Sequence, residues 1–141
     1  MKKIQILLIA ITLVFVTNTY AQKEEKVHHV VMQLNSADTA VWSSTIGNIK
    51  NLQKIWPGSV KIEVVVHGKA LNFLVASKTH LLEDINLVAN KGVVFSACEN
   101  TMKKYAITKE MLVPIASTVP SGVGELVIKQ ENGWSYLKTG Q

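Results

Sequence analysis

The residues that can do chemistry gather around the only cysteine. Gly92-Val93-Val94-Phe95-Ser96-Ala97-Cys98-Glu99-Asn100-Thr101-Met102 reads as a short buried strand running straight into a helix, with the thiol at the joint. In an open α/β sheet the carboxyl ends of the strands are where ligands bind. A thiol at a first helical turn also faces unpaired backbone N–H groups and the positive end of the helix dipole, and both favour thiolate. Cys98 is therefore the candidate nucleophile or redox-active thiol. The plainer alternative is a small buried apolar side chain.

The neighbouring candidates follow from the same strand ends. His67 closes the β-branched run Val60-Lys61-Ile62-Glu63-Val64-Val65-Val66. It shares a sheet edge with Cys98 if the two strands are parallel. It is expected to hold the thiolate as an ion pair or to shuttle a proton, or else to cap a backbone carbonyl. Gly68 allows a close turn beside it. Asn100 and Thr101 are expected either to donate to a bound anion or to cap the helix. Ser121 and Gly122, in the loop after a fourth strand, border the same crevice or simply make a turn. Glu99 opposes a thiolate unless its side chain turns outward. Met102 reads as core. His28 and His29 are adjacent in a strand, face opposite sides and cannot share a metal. His80 reads as a surface residue. Trp42, Trp56 and Trp134 read as packing or oligomer contacts. The spacing suggests no metal site and no cofactor.

The elements that must position these residues are readable by period. Val27 to Asn35 is a strand. From Thr39 to Ile55, the apolar positions Val41, Trp42, Thr45, Ile46, Ile49, Leu52 and Ile55 recur at three- and four-residue steps, one face of a helix. Asp38 is its N-cap candidate, and Trp56-Pro57-Gly58 ends it. Val60 to Val66 is the second strand, Leu71 to Ala76 a short apolar turn or helix, and Leu81 to Asn90 a helix closed by Gly92. The cysteine-bearing strand and its helix to Tyr105 come next, then a short turn at Thr108 to Met111. Pro114 to Val119 is a fourth strand, Val123 to Gln130 a helix and Trp134 to Leu137 a last strand. Strand and helix alternate, which predicts an α/β fold: a largely parallel sheet of about five strands with helices on both faces.

Composition bounds the setting. Lys2 and Lys3, the apolar Ile4 to Val16 and the small-residue end Thr19-Tyr20-Ala21 have the order of a signal peptide, with a cut expected between Ala21 and Gln22. The apolar run, about 13 residues, is short of the ~20 that span a bilayer. The expectation is a signal peptide at 1–21, one domain at 22–141, and a periplasmic or secreted protein with no membrane contact after cleavage. The formal charge of +5 loses two lysines with that segment. All the basic residues are lysine, so bidentate arginine recognition of phosphate is absent and nucleic acid is not an expected partner. A lone cysteine cannot form a disulfide within its own chain.

Three segments together carry a resemblance: Phe95-Ser96-Ala97-Cys98-Glu99-Asn100-Thr101-Met102, Ile62-Glu63-Val64-Val65-Val66-His67-Gly68, and Val119-Pro120-Ser121-Gly122-Val123-Gly124-Glu125-Leu126. With the final Gly133-Trp134-Ser135-Tyr136 they resemble the DsrE/DsrF-like (YchN-like) family over nearly all of residues 22–141. The resemblance implies a compact α/β sandwich and homo-oligomers, often trimers or hexamers. It also implies a cysteine that accepts and passes on sulfane sulfur as a persulfide, a role that carries over to Cys98 alone, with a sulfur donor or acceptor protein as partner. Export is a departure, because the sulfur-relay members act in the cytoplasm. The expected function is that of a sulfur carrier or thiol-handling protein. The alternative is a non-catalytic small-ligand-binding or structural oligomeric module using the same crevice.

Overall fold

The computed structural model describes residues 26–140; the expected signal peptide and its cleavage point lie outside them. The chain runs β1 (His28–Leu34), α1 (Thr39–Ile55), β2 (Val60–Val66), a 3-10 turn (Gly68–Leu74), α2 (Leu82–Ala89), β3 (Val94–Cys98), α3 (Glu99–Lys104), a second 3-10 turn (Lys109–Met111), β4 (Ser117–Val119), α4 (Gly122–Glu131) and β5 (Ser135–Lys138). The five strands form one sheet in the order β4-β3-β2-β1-β5, and every pairing is parallel.

That order dictates which helix covers which face. The first three crossovers step along the sheet in one direction, and the fourth carries the chain back past β1. Right-handed crossovers running in opposite directions leave their helices on opposite faces. Thus, among the described residues, α1 and α2 lie on one face and α4 alone on the other, against β1, β2, β3 and β5.

Strand alternation sorts the side chains accordingly. Val30, Met32 and Leu34 of β1, Ile62, Val64 and Val66 of β2, and Phe95 and Ala97 of β3 form the main core with Trp42, Ile46 and Ile49 of α1 and Ile85 and Val88 of α2. Phe73, from the first 3-10 turn, meets both Trp42 and Phe95 at ring-centroid distances of 5.8 Å. On the α4 face the apolar cluster is only Val31, Val65 and Leu126, with Trp134 against it.

Local chemistry sets the ends of the elements. Asp38 Oδ1 accepts from the Ala40 N–H at 2.8 Å and caps α1. Ile55, expected on the core face, is instead exposed at the last residue of α1. The fourth strand is shorter than expected. Pro114 has no N–H to give a ladder, the Ala116 N–H turns back to the Val113 carbonyl at 2.9 Å, and pairing begins only at Ser117. The histidine pair divides as expected: His28 stacks on Trp56 at 3.9 Å and His29 meets Trp134 at 5.2 Å.

Candidate functional site

The register places the two candidate side chains next to each other. Val66 of β2 pairs with Ala97 of β3, so His67 and Cys98 follow as neighbours at the carboxyl ends of adjacent strands. Both lie on the α4 side of the sheet. The first residue of α4 sits between them. A Cβ built on Gly122 would lie 3.1 Å from His67 Cβ, 3.2 Å from Cys98 Cβ and 3.3 Å from Val65 Cγ1. Only a residue without a side chain lets the start of α4 descend this far onto the sheet. Ser121 holds that start in place. Its hydroxyl caps α4 by accepting from the Gly124 N–H at 3.2 Å.

Cys98 occupies the N-cap position of α3 and is 5% exposed. Ser, Thr, Asp or Asn usually fills this position and accepts hydrogen bonds from the first helical turn. The thiol closes no capping hydrogen bond, but donors surround it. Burial pushes its pKa up. The Thr101 hydroxyl and the backbone N–H groups of Gly122, Thr101 and Asn100 pull it down, and together they prevail, so the thiol is more acidic than ordinary cysteine. These donors come from two elements, α3 and α4, which approach the sulfur from different sides.

A further bond orients the strongest donor. The Gly68 N–H donates to Thr101 Oγ1 at 3.1 Å. With its oxygen engaged from one side, the Thr101 hydroxyl has its hydrogen left for the sulfur. Gly68 reaches this geometry with a φ of +60°, a conformation that costs glycine little. Asn100 contributes through its backbone, and its residue is exposed. Glu99 is drawn away, its Oε1 accepting from the Thr118 hydroxyl at 2.9 Å, and it is not among the groups that shift the thiol. Met102 is buried in the main core.

His67 has a different partner from the one expected of it. Gln33 Nε2, a donor only, lies 2.8 Å from His67 Nε2, so that ring nitrogen is the acceptor and carries no proton. The Gln33 Oε1 in turn accepts from the Tyr136 hydroxyl. Burial lowers the pKa of His67, which agrees with a neutral ring. The imidazole therefore does not supply the cation of an ion pair with the thiolate. Gln33 and Tyr136 fix the ring in the wall of the crevice.

Beneath α4 lies a second polar group that sequence reasoning missed. Glu63, 4% exposed, accepts from the Ser96 hydroxyl at 2.7 Å and pairs with Lys129 of α4 at 2.6 Å. Lys129 also lies 3.5 Å from Glu125 and sits 4.4 Å above the Trp134 ring. Burial lowers the Lys129 pKa, but the carboxylates of Glu63 and Glu125 hold it above its ordinary value. The signal was present: a glutamate and a serine inside otherwise apolar interior strands require polar partners.

Comparison with known proteins places this arrangement among others. The model of the DsrE/DsrF-like family matches residues 11–139. The fold is similar to that of MTH1491 from Methanobacterium thermoautotrophicum, a protein of unknown function, with a TM-score of 0.75 and 31% identity over 79% of this chain and 98% of that one. It also resembles BT1422 from Bacteroides thetaiotaomicron, again of unknown function, with a TM-score of 0.62 and 16% identity over 78% of this chain and 93% of that one. No curated protein matches.

Proposed function

Since the chain belongs to the DsrE/DsrF-like family, which is associated in general with sulfur relay, we propose that it carries sulfane sulfur on Cys98 as an exported, periplasmic protein. The observation that carries this reading is the place of Cys98, at the N-cap of α3 and directly beneath the first residue of α4, where a Cβ built on Gly122 would lie 3.2 Å from its own.

The chemistry is a thiol exchange. The Cys98 thiolate attacks the outer sulfur of a persulfide or polysulfide donor. A new S–S bond forms at Cys98, the donor's S–S bond breaks, and the donor thiolate leaves with the electron pair. The reaction needs no outside oxidant. Passing the sulfur on repeats the step in reverse on an acceptor thiol. Thr101 and the surrounding N–H groups hold the charge on Cys98 before attack and again when it leaves the transferred sulfur. The limited exposure of Cys98 favours small or extended donors over bulky ones.

Mass spectrometry after polysulfide treatment tests the reading. The account expects one added sulfur atom on Cys98 of the native protein, removed by a reducing thiol and absent from Cys98→Ser. Native protein that gains no sulfur under conditions that load a free cysteine peptide contradicts it. Export is tested by N-terminal sequencing from the host: a start at or near Gln22 supports it, and an intact Met1 in the cytoplasm opposes it.

A second copy of this chain is the proposed partner for the outer side of α4. Val123, Val127 and Ile128 are 60%, 48% and 50% exposed; Val123 and Val127, four residues apart, share one side of the helix, and Ile128 widens the exposed apolar surface beside them. The account expects light scattering to give a trimer or hexamer. A clean monomer at micromolar concentration removes the assembly from it.

A further inference from the structure

A second cleft opens at the same end of the sheet, away from α4. Its volume is about 350 Å³, within the size range of small-molecule sites. The floor is apolar, made by Leu71 of the first 3-10 turn and Ile107 after α3, both buried. Tyr105 forms one side. The polar groups are Lys69, Asn72 and Lys78, and no aspartate or glutamate is among the described residues that line it.

The polar groups are arranged to receive negative charge. Among the described residues, neither Lys69 nor Lys78 is paired with a carboxylate. Lys78 Nζ donates to Asn72 Oδ1 at 3.2 Å. That bond occupies the acceptor end of the Asn72 amide and leaves its N–H₂ end for a ligand. Gly68 also lines the cleft, and a Cβ there would meet nothing nearer than the Asn35 carbonyl at 4.0 Å.

We propose that this cleft binds a small organic anion, with its carboxylate or sulfonate between Lys69 and Lys78 and its apolar body against the Tyr105 ring. The lysines alone would suit any anion. The Tyr105 ring, 45% exposed, favours one that carries a hydrocarbon or aromatic part, and inorganic phosphate leaves that ring uncovered. The cleft is connected to the thiol, because Gly68 lines it and donates to Thr101, the residue whose hydroxyl faces Cys98. The binding itself does not depend on Cys98 being reactive.

Amide NMR of the purified protein, titrated with benzoate, tests the proposal, with benzamide and inorganic phosphate as the neutral and non-organic controls. The account expects saturable shifts at Gly68, Asn72, Tyr105 and Ile107 at about millimolar benzoate. It expects at least tenfold weaker binding in Lys69→Ala/Lys78→Ala, with the rest of the spectrum unchanged. Absence of saturable shifts at these residues overturns the site. Benzamide binding as well as benzoate overturns the anion preference. Phosphate binding as well as benzoate overturns the organic class.

Discussion

Val30, Met32 and Leu34 enter an apolar core, whereas Val31 and Gln33, the residues between them, face the α4 side. The same division runs through β2 and β3. Val64 and Phe95 pack under α1 and α2, while Glu63, Ser96 and Cys98 turn to the side that a single helix covers. One face is closed by many apolar contacts. The other is held by a few directional ones: an ion pair, a histidine–glutamine–tyrosine chain and a glycine fitted between two strand ends. Alternation within the same strands thus separates the residues that hold the sheet together from those that set the state of the thiol. The crossover that brings the chain back past β1 supplies the second face with just one helix and leaves room for polar groups there.

The largest effect is expected on the apolar face. Phe95→Ala empties a fully buried site and should cost about 3–5 kcal/mol in denaturant unfolding. In the protein that remains folded, the pH midpoint of Cys98 alkylation should stay where it is. A shifted midpoint would mean that the two faces are coupled more tightly than strand alternation implies.

Lys129→Met acts on the other face and should cost about 2 kcal/mol, since Glu63 is left buried with only Ser96 as a side-chain partner. Adding Glu63→Gln should recover part of that loss. Losses that simply add would show that the pair does not clamp α4 to the sheet.

Gly122→Ala should cost about 1–2 kcal/mol by overpacking, with a distinctive second consequence. The new methyl meets His67, Cys98 and Val65 at 3.1–3.3 Å and lifts the start of α4. The Gly122 N–H then withdraws from the sulfur and alkylation at neutral pH slows. Unchanged alkylation with lowered stability would reduce α4 to a cover.

Much of this division was legible in the sequence, for identifiable reasons. The three- and four-residue spacing of Trp42, Thr45, Ile46 and Ile49 gave α1 its true ends. The run from Val60 to Val66 gave β2, and the apolar stretch ending at Cys98 gave the strand-to-helix joint. These are local patterns. What the sequence did not show depends on partners far apart in the chain. Gln33 reaches His67 and Tyr136 across separations of 34 and 103 residues, and Glu63 meets Lys129 only because α4 crosses back over the sheet. His67 read either as a partner for the thiolate or as a carbonyl cap, and neither reading contained Gln33. Gly122 read as a crevice-bordering or turn residue, and its fit between two strand ends appears only when they close on it. The extra length expected of β4 came from counting Pro114, Ile115 and Ala116 as strand, where the Ala116 N–H turns back to Val113.

The account's central claim is that the surroundings of Cys98 on the α4 face make its thiol more acidic than ordinary cysteine, with the Thr101 hydroxyl as the side-chain donor. Because the donors outweigh burial, the thiol's pKa is lowered, and a lowered pKa moves thiolate reactivity to lower pH. The direct measurement is the rate of alkylation by a small reagent against pH, for the native protein, Thr101→Val and Thr101→Ser. The native midpoint should lie below that of free cysteine, about 8.5. Thr101→Val should move it up and slow the reaction at neutral pH by roughly tenfold, the worth of one hydrogen bond to a charged group, while Thr101→Ser stays near the native curve. A native thiol that reacts only at or above the free-cysteine midpoint, or never in the folded protein, would contradict the account and leave Cys98 as a packed core residue.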